Sequence, residues 1–327
     1  MVEDAQTIAM FQFSNFQNLA SIVAMLVSLI SLLTVFVIYL IFPKLRDVAG
    51  KCLLSLVVAL FCAQLSYMIA TQHITSELFC HTIGALMHFF WLATFLWMNV
   101  LALDICITVT QAPADESTSY RFVCYSFYAW LTAAVVAGAS VALDFVDVTP
   151  DSYKPNYANE TCWISHRDAM FYLFALPLGT ILLINFILFL ITVVCICSQV
   201  FSSKLADQRS RCVGLFVVYV LLGFTMGMTW ICAFAATLTP YSVLWYVFIV
   251  LNALQGLIIL VAFVCNRQVY DMVAALNKPT KRQGETAGSS YYACPNGNSR
   301  PSQARHGGPF ADPMTFRLEL ESQETSI

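Results

Sequence analysis

Charge is scarce in this sequence. Only 11% of its 327 residues are Asp, Glu, Lys or Arg, and 59% are hydrophobic, where a soluble globular domain carries about 25% charged and about 45–50% apolar residues. Water is therefore not the solvent for most of the chain. The net charge of −3 supplies no basic field, so a nucleic-acid partner is not expected. Basic residues are missing from the start as well: Met1-Val2-Glu3-Asp4 is acidic, and no cleavable signal peptide is read there. No cluster of His, Asp, Glu and Cys has metal-ligand spacing, and no paired carboxylates or nucleophile-and-base set lie in the apolar stretches. Neither a metal, nor a cofactor, nor an enzyme's chemistry is expected. A retinal Schiff base needs a lysine in the last membrane helix, and none occurs between Lys204 and Lys278.

What the chain has is long apolar runs, and about 20 such residues span a bilayer core of about 30 Å. Seven segments qualify: Asn18 to Phe42, Cys52 to Thr71, Cys80 to Thr108, Phe122 to Leu143, Ala169 to Cys197, Cys212 to Leu238 and Val243 to Cys265. Each is too long and too evenly apolar for a barrel strand, so each reads as a helix that satisfies its own backbone in lipid. The expected fold is an all-α membrane protein, a seven-transmembrane helix bundle over residues 18–265 embedded in the lipid bilayer. Residues 1–17 form a short extracellular N-terminus. Residues 266–278 carry apolar positions at helical spacing and read as an amphipathic juxtamembrane helix. Residues 279–327 are rich in Gly, Ser, Pro and Gln and read as a disordered cytoplasmic tail.

Sidedness follows from where Lys and Arg fall in the short loops. Lys44, Arg46, Lys51, Arg121, Lys204, Arg209, Arg211 and Arg267 share one side, and only Lys154 and Arg167 lie on the other, among Asp144, Asp147, Asp151 and Glu160. The first set belongs in the cytoplasm, which puts the N-terminus outside and the C-terminus inside a multi-pass plasma-membrane protein. The sequon at Asn159 then falls in an outside loop as a glycosylation candidate. Of twelve cysteines, Cys80 and Cys162 lie on the oxidising side. A disulfide between them is expected, with two free thiols the alternative.

Ionisable groups deep in a membrane mark ion paths or proton relays, and here they are nearly missing. Asp104 lies about 36 Å along a helix from Cys80, near the inner boundary, where it would order a cytoplasmic loop. His88 is about two turns below the outer end of the third segment, with Trp91 beyond it. The pair could line a ligand pocket, or His88 could be a satisfied core histidine. Gly223 and Gly227, with Trp230 following, would let another backbone approach closely or let the sixth helix bend. Pro177 would kink the fifth. Asn252 and Gln255, beside Gly256, place two amides nearly one turn apart that would seek partners on neighbouring helices.

These residues resemble the Methuselah-like receptors of insects, within the adhesion and secretin-like branch of G-protein-coupled receptors. The stretch from His88 through Trp91 and Trp97 to Val100 is similar to that group's third-helix signature, and Pro43 to Cys52 to its basic Gly-Lys-Cys turn. Met226 to Trp230 resembles the branch's sixth-helix motif, and Leu251 to Gly256 its seventh-helix motif. The resemblance implies a receptor that couples an extracellular ligand, a peptide being one candidate class, to heterotrimeric G proteins by moving helices 5 and 6. It implies Trp230 as the switch, Asn252 and Gln255 as what holds the seventh helix against it, and Lys204, Arg209 and Arg211 as the border of the G-protein face. Two positions depart from the family's pattern, Ala49 where a histidine is frequent and Leu101 where a glutamate is. The polar lock at the inner face is thus incomplete, which makes constitutive or altered coupling an expectation.

The chain ends Glu324-Thr325-Ser326-Ile327. With Thr325 two before a terminal Ile327, this end suits strand addition to a PDZ-domain protein. Two other functions compete with a receptor: a non-signalling scaffold or decoy without the usual ectodomain, and a transporter or channel, which the sparse intramembrane charge disfavours.

Overall fold

The structure is a computed structural model that describes residues 15–71, 76–110, 118–146, 150–158, 162–199 and 243–264, with 220, 223–224, 227–232, 235 and 269. Helix α1 is Asn15–Ile41, α2 is Val48–Ala70 and α3 is Glu77–Thr110. Helix α4 runs Thr118–Ser126, through a π turn Phe127–Leu131, into Thr132–Asp144; α5 runs Arg167–Met170, through a second π turn Phe171–Ala175, into Leu176–Gln199. Helix α6 is helical at every described position from 220 to 235, and α7 is Val243–Phe263. Apart from an isolated bridge residue at His166, the regular structure of the described residues is helical.

Six helices, α1 to α5 and α7, are long and apolar enough to cross a membrane, and each lies where hydropathy placed a span. The protein is a multi-pass membrane protein. Most of the sixth expected span falls outside the described residues. So do Asn159, Lys204, Arg209 and Arg211, residues 1–14, the 266–278 stretch except Val269, and the tail with Thr325 and Ile327.

Helix α3 is the hub. Every side chain from Trp91 to Leu101 is buried, as expected of a helix that is apolar all round, and it packs against α2, α4 and α5. Helix α1 packs on α2 and α7 while exposing Leu19, Ile30 and Ile41. Helix α5 likewise exposes Leu183, Phe186 and Val194, surfaces that suit lipid.

The connection from α1 to α2 shows why its sequence reads as it does. Pro43–Leu45 makes a 3-10 turn and Asp47 caps α2, its side chain accepting the Gly50 N–H at 2.7 Å. A Cβ on Gly50 would run into the Leu45 carbonyl, so only glycine admits this tight entry. Lys51 then lies 5.7 Å over the Phe122 ring, a cation–π contact joining the starts of α2 and α4.

Candidate functional site

At one end of the bundle Cys80 and Cys162 form a disulfide, tying the start of α3 to the loop between α4 and α5. The loop folds inward. Tyr157, Trp163 and Ile164 are at most 1% exposed, and Gly84 makes room for them, since a Cβ there would stand 3.0 Å from the Tyr157 ring and 3.1 Å from the Cys162 carbonyl. Asp144, at the end of α4, accepts the Asn156 N–H at 2.7 Å and lies 3.1 Å from His81 Nε2 on α3. Asn156 has φ of 50°, a left-handed conformation that asparagine tolerates better than most residues. A second tie closes the loop on itself, with the Ser165 N–H donating to the Pro155 carbonyl at 2.9 Å.

His88 lies beneath this loop and is fully buried. Its Nε2 donates to the Leu173 carbonyl at 3.1 Å, so its Nδ1 accepts from the Tyr157 hydroxyl at 2.7 Å. Burial pushes the Tyr157 phenol well above its ordinary range, and the Asp144 carboxylate adds to the push, so Tyr157 remains a neutral O–H donor. Helical geometry explains why Leu173 has a carbonyl to offer. The π turn shifts the ladder here, with the Leu176 N–H reaching back to the Phe171 carbonyl, and Pro177 withholds the next N–H from the carbonyls of the turn. His88 is thus a satisfied core histidine, bonded to α5 where the π turn and Pro177 interrupt its regular ladder.

Around this centre the aromatic rings converge. Trp230 of α6 packs edge-on against Trp91 of α3 at 5.3 Å between centroids, at 4.6 Å from Phe174 of α5 and at 6.3 Å from Trp163 of the loop. Trp163 in turn meets Phe174 at 5.2 Å and His88 at 6.0 Å. The disulfide-bonded loop, α3, α5 and α6 therefore share one packed cluster with Trp230 at its base.

Polar links lie deeper. Tyr128, in the π turn of α4, donates to Asn99 Oδ1 at 3.0 Å, and Asn99 Nδ2 donates to Asn185 Oδ1 of α5 at 2.8 Å. Gln255 Nε2 donates to the Thr229 hydroxyl at 3.2 Å, tying α7 to the position beside Trp230. The Asn252 amide instead donates to the Phe248 carbonyl of its own helix at 2.9 Å. This corrects the expectation that both amides reach a neighbouring helix. Among the described residues no other backbone approaches the glycines of α6. A Cβ on Gly223 would touch only Met98 Cε, at 3.7 Å, and one on Gly227 meets no described residue. The close approach falls at Gly256, whose missing Cβ is replaced by the Ser28 backbone of α1 and whose N–H donates to Ser28 Oγ at 3.2 Å.

At the end opposite the disulfide, Arg121 donates to Asp104 at 2.7 Å and the Tyr125 hydroxyl to the same carboxylate at 3.2 Å. Asp104 is buried, so this pair fastens the start of α4 to α3, and removal of Arg121 would leave a costly buried carboxylate. Sequence reading missed Arg121 as the partner of Asp104, although two opposite charges flanking one short connection at the same membrane level were a usable signal. It also missed Asn185, a lone amide in an apolar run.

The profile described as 7 transmembrane receptor (Secretin family) matches residues 15–259. The chain is 28% identical over 266 residues to the G-protein coupled receptor Mth of Drosophila yakuba, covering 76% of this chain and 50% of that protein. It is 28% identical over 252 residues to the probable G-protein coupled receptor Mth-like 6 of Drosophila melanogaster, covering 73% and 52%. With the mouse cadherin EGF LAG seven-pass G-type receptor 1 it shares 26% identity over 231 residues, 70% of this chain and 7% of that protein. The chain thus spans about half the length of the Mth relatives.

Proposed function

Because the chain belongs to the seven-transmembrane receptors of the secretin family, a family of receptors and not of enzymes, we propose that it couples an extracellular ligand to heterotrimeric G proteins. The disulfide end faces outward in this reading, as the loop charges suggest, and the end bearing Asp104 and Arg121 faces the cytoplasm of a plasma-membrane protein. A peptide is the ligand class that the Mth-like resemblance favours. A ligand acting on the loop would shift Trp163 and Phe174 against Trp230, and α5 and α6 would part at the cytoplasmic end to admit the G protein, bordered by Lys204, Arg209 and Arg211. Asn159 would carry a glycan and the Thr325 to Ile327 end would engage a PDZ-domain protein.

One observation carries the reading: Trp230 touches an aromatic side chain of α3, of α5 and of the disulfide-bonded loop at once. A packed ring with two arrangements is the kind of bistable element on which a switch is built. In cells expressing the chain, basal nucleotide exchange on a panel of G proteins is measured beside that of Trp230→Ala at equal surface level. Loss of the packing that holds α6 should raise basal exchange about fivefold or more. If wild type and variant both give none under any stimulus, the chain is a non-signalling scaffold.

A further inference from the structure

We propose that the cleft between α3, α5 and α6 binds a small, uncharged, membrane-dissolved molecule that carries one hydrogen-bond acceptor. The cleft has a volume of about 280 Å³ and is walled by Met98 and Ile105 of α3, Leu182 and Phe189 of α5, and Val220 and Phe224 of α6. That exceeds the cavity of about 150 Å³ that accepts benzene and approaches the lower end of ligand pockets, about 300 Å³. It admits about a dozen heavy atoms, far fewer than a whole phospholipid. Its mouth is lateral: Phe224 is 62% and the adjoining Phe186 57% exposed, on a face that suits lipid. The bilayer is therefore the source of the occupant.

The chemistry of the occupant follows from Asn185, the amide in this apolar wall. Its Oδ1 accepts from Asn99 Nδ2, and Asn99 is itself oriented by the Tyr128 hydroxyl on its Oδ1. In this arrangement Asn185 turns its Oδ1 to Asn99, and its Nδ2 is a donor with no partner among the described residues. The other polar side chain of the wall, Thr192, already donates to the Leu188 carbonyl. An N–H left unpaired in an apolar surrounding is costly, so the group that belongs there is an acceptor oxygen, such as a carbonyl or ether. Gly223 completes the site by omission, because any side chain built on it would enter the cleft past Met98 Cε. Occupancy would set the spacing of α5 and α6, the pair that the proposed signalling moves. Binding itself does not rest on that reading.

The test uses the full chain in nanodiscs and a diazirine-bearing analogue of 2-dodecanone, with photolabelled residues located by mass spectrometry. Labelling should concentrate at Phe186 and Phe224, and 2-dodecanone should compete about three- to tenfold better than dodecane, the span expected of one hydrogen bond. Asn185→Leu should abolish that preference, and Gly223→Leu should abolish the labelling, with helical content by circular dichroism unchanged in both. Labelling spread evenly over lipid-facing helices and indifferent to Gly223→Leu would overturn the site. Equal competition by ketone and hydrocarbon would overturn the assigned chemistry.

Discussion

His88 and Pro177 act as a pair although they lie on different helices. Proline withholds a backbone donor from the turn that holds the Leu173 carbonyl, and the imidazole supplies one to that carbonyl at 3.1 Å. His88→Phe should therefore destabilise the bundle by about 1–3 kcal/mol, since it strands a buried carbonyl and takes the acceptor from the Tyr157 hydroxyl. In a Pro177→Ala background the restored N–H takes over, and the penalty should shrink by about 1 kcal/mol. Unfolding of the four proteins in detergent measures this, and an unchanged penalty would refute the pairing. That His88 is a core histidine was one of two readings open in the sequence, because its depth in the third span suits either role. Its acceptor was not legible, being 85 positions away on another helix.

At the scale of elements, apolar length located the six fully described spans to within a few residues, since the thickness of a bilayer sets how long such a run must be. Contacts between helices were harder to read. The spacing of Gly223 and Gly227 allowed a close crossing or a bend at α6, and spacing says only where a backbone could approach; among the described residues a neighbouring helix arrives at Gly256. Gly256→Ala should force α1 away from α7 and cost about 1–3 kcal/mol, as overpacking does. A drop in the thermal midpoint of the purified protein checks it, with Gly223→Ala, which meets only Met98 Cε, as a control expected to stay within about 0.5 kcal/mol of wild type. Neither π turn left a mark in hydropathy, although one presents Tyr128 to Asn99 and the other a carbonyl to His88. Such turns insert without changing the apolar character of the run.

For the molecule as a whole, one covalent tie joins positions 82 apart, and the pairing of Cys80 with Cys162 was readable from sidedness alone. Cys162→Ser should lower the stability of the folded bundle by about 2–4 kcal/mol, read as a shift of the chemical unfolding midpoint. Wild type in reductant should match the variant, and a variant as stable as oxidised wild type would show the tie to be dispensable. The inward fold of the loop was not readable, because it depends on Gly84 and Asp144 admitting and anchoring it from two other elements.

That inward fold also governs timing. Trp163 of the loop packs on Trp230 at 6.3 Å, and it and Tyr157 are fully enclosed, so a molecule reaching Trp230 from the disulfide end would have to displace the loop. Its arrival would be paced by how often the loop lifts, so the observed on-rate would level off as concentration rises instead of climbing with collision frequency. Departure would wait on the same event, giving long residence even to a weakly held guest.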